Sequence, residues 1–340
     1  MSSATGIIGQ VRGRSVPSLS DEDRNLLLVL PGLFLFSAFM FFPMIYVVYL
    51  SMTGANAVNM FNPERPVPFV WFDNYLSLFF ADEATQSLGT FVSMFLSDPL
   101  SVWDGQFWNS FLLTWLFLGI SVVLKIGFSL SLAVVVTAKN VRGSRLMRAF
   151  LIMPMGLPGV FTISIWRGIF SSSRFGLFNQ LLNFLGLGTV SWLGERWPAF
   201  LSYIVTEMWL AYPFMLIITA SALQDVPEDI MDAAKVDGAG FFHRFRHVTI
   251  PAIKRPVLFA TILTAAASFQ QVLIPYIFNS GGPSRKNELI LVYAYREAFD
   301  VSTPNYGLGS AISVTAILFI GMFMWLNVKK GRLADGVDTE

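Results

Sequence analysis

Apolar residues along the chain gather in six long runs, at positions 26–50, 111–138, 149–170, 198–222, 256–279 and 306–327. Each run reaches the roughly 20 residues that a helix needs to cross a bilayer. Lipid offers no partner for a backbone N–H or C=O, so an open sheet cannot sit there and the runs read as helices. The pattern predicts an all-α, polytopic membrane helical bundle of six spans. Pro43, Pro154, Pro158 and Pro213 fall inside or near the ends of spans. Neighbouring helices can satisfy the carbonyls they free, so kinks rather than breaks are expected. The first run is too long for a signal-peptide core and has no small-residue cleavage site, so it reads as a retained span.

Composition agrees with a membrane chain. Hydrophobic residues make up 54% of the 340 and charged residues 13%, against about a quarter charged in a soluble domain. A formal net charge of +1 gives no reason to expect nucleic acid as a partner, and the absence of cysteine removes disulfides, thiolate metal sites and cysteine nucleophiles. Charge placement says more than charge total. Lys and Arg cluster at Arg12, Arg14 and Arg24, at Lys139, Arg142, Arg145 and Arg148, at Lys235, Arg244, Arg246, Lys254 and Arg255, and at Lys329, Lys330 and Arg332. The alternate connections hold only Arg65, Arg174, Arg196, Arg285, Lys286 and Arg296. The positive-inside rule then puts both termini in the cytoplasm. Residues 1–25 and 331–340 are expected as cytoplasmic tails, and 26–330 as the transmembrane domain with its core at about 107–328. The outer connection 52–110 is acidic and aromatic, carrying Glu64, Trp71, Asp82, Glu83, Asp98, Asp104 and Trp108, and is expected to lie partly along the interface.

The longest cytoplasmic connection, 224–255, is the most informative. Pro227-Glu228-Asp229 has the proline and acidic residues of a helix start, and Gly238 is a natural stop; 241–248 suits a second short helix that Pro251 ends. Ala233, Ala234, Gly238, Ala239 and Gly240 carry little side-chain bulk, as a helix pair inserted into a partner's groove requires. The plainer alternative is an interfacial connector between two spans. The residues Asp232-Ala233-Ala234-Lys235-Val236-Asp237-Gly238-Ala239, followed by Phe245, Val248 and Ile250-Pro251, resemble the EAA loop of ABC importer permeases. They depart from it with Asp232 for the usual Glu and with Thr249-Ile250-Pro251 for the usual ending. Phe72-Asp73-Asn74-Tyr75, Phe107-Trp108-Asn109-Ser110, Trp209, Tyr212-Pro213 and Gly281-Gly282-Pro283 resemble the sugar branch of that family. Within it the pattern is similar to the larger maltose-permease subunit, without a large extracytoplasmic insertion.

That resemblance implies a multi-pass protein of a prokaryotic cell membrane, in contact with lipid. It implies a second permease subunit in a heterodimer, two ATPase subunits, an extracytoplasmic solute-binding protein and a sugar as solute, with a polyol or glycerol phosphate as the alternative. ATPase docking would fall on Asp232, Ala233, Ala234, Asp237, Gly238, Ala239, Phe245 and Pro251. The chain contains no Gly-x-x-x-x-Gly-Lys-Ser/Thr sequence, so hydrolysis is expected of a partner, with neither a catalytic residue nor a cofactor here. The resemblance also implies a substrate pathway at Glu207, Leu210, Ala211 and Phe214, and at Thr264, Ser268 and Gln271.

Spacing independently places each of those sets on one helical face. Polar groups at bilayer depth usually face a cavity, and a ring beside hydrogen-bonding groups suits a sugar. The alternative is that Thr264 and Ser268 bond their own backbone. If Glu207 lines the pathway, an anionic solute is disfavoured. Lys125 lies mid-span, where a structural ion pair or a wet crevice would account for it, and Glu207 is one possible partner. His243 and His247 have metal-pair spacing, but no third ligand accompanies them and Arg244 and Arg246 lie beside them, so no metal is expected. A secondary transporter should carry paired discontinuous helices in an internal repeat, and an embedded enzyme a carboxylate or metal cluster; neither pattern is present.

Overall fold

The computed structural model describes residues 21–80, 105–138, 141, 143–300 and 302–330. Asp82, Glu83, Asp98, Asp104, Lys139, Arg142 and the outermost tails lie outside the described residues. The chain divides into two compact units, Met1–Tyr49 and Leu50–Glu340. Helix α1 (Asp21–Ser51) supplies the described part of the first. Its most apolar stretch has no buried residue, and Leu28, Phe34 and Phe39 are exposed. A helix hydrophobic on every side has lipid as its natural surroundings.

The second unit starts with a short helix, α2 (Asp73–Phe80), and the long span α3 (Gln106–Thr137). At 1.5 Å per residue α3 is roughly 48 Å long, well beyond the ~30 Å hydrocarbon layer. Next come α4 (Ser144–Ile152), α5 (Gly159–Ile169), α6 (Leu177–Phe184) and the second long span, α7 (Arg196–Gln224). After α8 (Glu228–Val236) come α9 (Phe241–Arg244), α10 (Ile250–Phe269), α11 (Leu273–Asn279), α12 (Ile290–Tyr295) and α13 (Tyr306–Lys330). Among the described residues, five helices are long and apolar enough to cross a membrane, or six if the bent pair α4–α5 counts as one span.

Small residues bring α3 and α7 together. Ser121, Ser129 and Ala133, with the buried Lys125 between the two serines, recur every fourth residue on α3, and Ser202 and Thr206 are buried on α7. In lipid such small-residue stripes let backbones approach closely, because the hydrophobic effect supplies no attraction between spans. Ser129 Oγ donates to the carbonyl of Tyr212 at 3.0 Å, a direct tie between the two helices. One apolar cluster joins Leu118 and Val122 to Phe269, Ile290 and Ile312, and a second joins Phe117 to Ile163, Tyr203, Ile274 and Phe278. Helices α10 to α13 are thereby packed onto the α3–α7 pair.

Two expectations need correction. The third run is broken rather than kinked: α4 and a tight turn at Met153–Gly156 meet α5 at 97°. Leu157, ahead of Pro158, is extended at φ −89°, ψ 140°, the conformation a following proline imposes. With Pro154 also lacking a donor, no helical bond bridges the gap. Pro43 and Pro213, in contrast, lie inside unbroken helices. The second correction concerns Pro251, which ends no helix. α9 runs through a π-helical turn at Phe245–Thr249 directly into α10, with Pro251 in its first turn. The wider turn relieves the clash between the proline ring and the carbonyl four residues back.

Candidate functional site

Three of the residues expected in the pathway meet in the membrane core, and Lys125 joins them. Lys125 Nζ donates to Glu207 Oε1 at 2.9 Å and to Ser268 Oγ at 2.5 Å. Gln271 Nε2 donates to Glu207 Oε2 at 2.7 Å, so both carboxylate oxygens are engaged. The Ser268 hydroxyl lies 3.1 Å from Glu207 Oε1 and 2.9 Å from the carbonyl of Thr264, and donates its one proton between them. Lys125 and Ser268 are fully buried, and Glu207 and Thr264 are each 4% exposed. The helices account for this convergence. Lys125 is on the buried stripe of α3, Glu207 one residue beyond Thr206 on α7, and Ser268 at the end of α10.

Glu207 is thus the centre of a closed polar knot, with both oxygens engaged. Leu210, Ala211 and Phe214 follow it along α7 and are half-buried. Gln271 is the edge of the knot. It sits in the break between α10 and α11, half-buried, next to the exposed Gln270. Interrupted helices at membrane depth leave backbone groups to be satisfied by protein or by a wet cavity. One such group, the Ile274 N–H, is taken by Gln271 Oε1 at 3.3 Å. The pairing of Lys125 with Glu207 had a signal in the sequence, since each is the lone charge in the middle of its run.

A second polar cluster, which sequence reasoning missed, closes the 281–305 connection. Glu288, fully buried, receives Gln106 Nε2 at 2.7 Å and Arg285 Nε at 3.0 Å, and forms an ion pair with Arg296 at 2.5 Å. Arg285 also reaches Glu297 at 2.8 Å. Burial pushes the Glu288 carboxyl up, and Arg285 and Arg296 pull against that shift, which is why three donors converge on one carboxylate. Gly281 makes the loop possible. Its φ is +73°, and an added Cβ would lie 3.1 Å from the Glu288 Cα, so only glycine allows the backbones to close this tightly.

The 225–240 connection carries the remaining residues. α8 buries none of its nine residues, and Ile230, Val236, Phe241 and Phe242 are exposed, Val236 at 89% and Phe242 at 83%. Asp232 pairs with Lys235 at 2.6 Å on its surface. The helix stops in a Schellman motif: Ala239 N–H reaches the Ala234 carbonyl at 2.9 Å, Gly238 N–H that of Lys235 at 3.0 Å, and Gly238 takes φ +79°. Left-handed backbone at this position is the reason for a glycine there. Behind α8 lies a cavity of about 380 Å³ reaching Thr137 on α3, Leu223 on α7, and Met231, Phe241 and Phe245. Phe245 stacks on Phe241, with ring centroids 6.1 Å apart, and Asp237 and Pro251 are exposed.

Residues 125–329, from Lys125 to the end of α13, match the family described as binding-protein-dependent transport system inner membrane component. This chain belongs to that family. It is accordingly a multi-pass membrane subunit of the permease type, and the matched region contains both the polar knot and the α8 connection. A trehalose/maltose transport system permease protein of Thermococcus litoralis is 29% identical over 306 residues, covering 90% of this chain and 92% of that one. A maltose/maltodextrin permease protein of Vibrio cholerae is 30% identical over 298 residues, 84% of this chain. The alignment spans only 56% of that longer relative. The backbone resembles a chain of a bacterial ABC transporter involved in import of the acidic polysaccharide alginate, with TM-score 0.68 over 92% of this chain and 97% of that one. At 20% identity that likeness is one of fold.

Proposed function

We propose that this chain is one half of the membrane pathway of an ATP-driven importer for a carbohydrate, and that α8 with the start of α9 is where a partner ATPase docks. Family membership and sugar-permease relatives on almost the full chain length support the carbohydrate reading. The docking reading rests on one observation: α8 is a nine-residue helix of which the chain fully buries no residue, Met231 and Ala234 being half-buried and the other seven exposed. Helices this short are marginal alone, and exposed apolar residues outside the spans mark an interaction surface. Here they are Ile230, Val236, Phe241 and Phe242, with Asp232, Ala233, Ala234, Asp237 and Ala239 around them. A second permease subunit would complete the pathway, an extracytoplasmic binding protein would deliver the solute, and the basic connections would face the cytoplasm. ATP-driven closure of the ATPase pair would move α8, and α9–α10 as one continuous helix would carry that motion to Ser268 and Gln271.

The test uses the exposure itself. Val236→Ser combined with Phe242→Ser removes apolar surface that the chain's own fold does not use. The spans and the partner permease should be retained, and co-purifying ATPase should fall by on the order of tenfold, as for loss of interface anchors. Undiminished ATPase recovery with full solute-stimulated hydrolysis would remove the docking assignment.

A further inference from the structure

The polar knot contains one positive and one negative side chain, and no other charge lies at its depth on the helices that form it. Lys125 is the only ionisable residue of α3; α7 has Glu207, Arg196 at its first residue and two tyrosines; α10 has Lys254 and Arg255 in its first turns. Arg255 precedes Ser268 by about 20 Å of helix. On α5, packed nearby through Ile163, Arg167 is exposed. The knot is thus electrically neutral, and Glu207 presents no uncompensated negative charge to the pathway. The carboxylate also orients its neighbour. A carboxylate only accepts hydrogen bonds, so Gln271 must give it Nε2, at 2.7 Å, which turns the Gln271 carbonyl oxygen away, toward the helix break.

We propose that the Lys125–Glu207 pair sets the charge selectivity of the pathway: it holds the site neutral and fixes Gln271 as a hydrogen-bond acceptor at the break, so that the solute class is uncharged and hydroxyl-bearing. Lys125 is a positioning residue in this scheme, acting through Glu207 on Gln271. The inference rests on the carbohydrate reading above and narrows it. An unpaired charge at this depth interacts strongly with a charged solute because little water screens it. A neutral pair does not reject a hydroxyl, and a solute donor meets the second lone pair of a carbonyl oxygen that already receives the Ile274 N–H and is held in place by it.

The experiment measures equilibrium binding to the purified, fully assembled transporter in lipid nanodiscs without its binding protein, which would otherwise impose its own selection. The probes are neutral gluco- and galacto-oligosaccharides and the same chains oxidised at the reducing end to aldonates. The wild type should bind a neutral member more tightly than its aldonate by on the order of tenfold. Glu207→Gln leaves the site with a net positive charge and should erase or invert that ratio. Gln271→Lys sets the same net charge at the half-buried edge without unpairing Lys125, and it serves if the first variant does not assemble. Lys125→Gln with Glu207→Gln restores neutrality and should restore the preference for the neutral probe. A purely structural role for the pair would lower assembly in the single variants and leave the ratio unmoved. An unmoved ratio in an assembled Glu207→Gln or Gln271→Lys transporter overturns the inference while leaving the carbohydrate reading intact. Failure of the wild type to bind any neutral member removes that reading and the inference with it.

Discussion

Gly238 is a residue whose role is set by backbone geometry, because nothing in the chain lies within 4 Å of a Cβ built there and φ is +79°. Asparagine tolerates left-handed backbone and a β-branched residue does not, at a cost of about 1–2 kcal/mol. Gly238→Asn should therefore keep the Schellman stop of α8 and its ATPase, and Gly238→Val should fray the helix and lose the ATPase, both read by pull-down. Equal loss in both variants would mean that bulk in the partner's groove, and not φ, is the constraint. The reason for a stop at Gly238 was legible in the sequence, since acidic residues at 228–229 and a glycine just past the last helical turn mark the two ends of a helix. The contact between Lys125 and Glu207 was only half legible. Lone charges in apolar runs call for partners, but linear spacing carries no information about which helices face each other, and the stripe of Ser121, Ser129 and Ala133 that turns Lys125 inward is visible only with α7 in place.

Among elements, the break between α4 and α5 and the continuity of α9 with α10 are where the sequence misled. Both involve proline, and the difference lies in what surrounds it. Pro154 and Pro158 together leave an extended Leu157 between them, whereas Pro251 follows a π-helical turn that absorbs its ring. Hydropathy cannot separate these cases, because the runs are equally apolar. The 281–305 connection gives a test at this scale. Glu288 joins the start of α3, through Gln106, to the loop after α11 and the turn after α12. Removing one partner of a buried ion pair strands the others and typically costs 3–5 kcal/mol. Glu288→Ala should accordingly lower thermal stability of the detergent-solubilised subunit by several degrees or more. Asp232→Ala, whose pair with Lys235 is exposed, should leave it unchanged, since surface pairs contribute little. Similar midpoints for the two would mean that the Glu288 cluster does not hold these segments together.

For the whole molecule, the path of α4–α5 decides the side on which the chain ends. If the bent pair crosses the membrane it completes six spans, and the N-terminal and C-terminal ends of the membrane domain share a side; if it dips in and returns, only five helices cross and the ends are on opposite sides. The basic residues argue for a crossing. Arg145 and Arg148 lie in the first turns of the pair, on α4, whereas the connection after it, 171–195, has only Arg174, so the positive-inside rule assigns its two ends to different faces. A re-entrant path would keep α6 on the side of Arg145 and reverse every later span, moving the 225–240 connection, Lys254, Arg255, Lys329 and Lys330 to the outer face. We expect a phosphatase reporter that works only outside the membrane to be active when inserted in α6 (Leu177–Phe184) or at 284–287, and inactive at 225–228 or after Lys330. Activity after Lys330 combined with silence in α6 would establish the re-entrant path, move α8 away from any cytoplasmic ATPase, and so defeat the docking proposal at the same time as the topology.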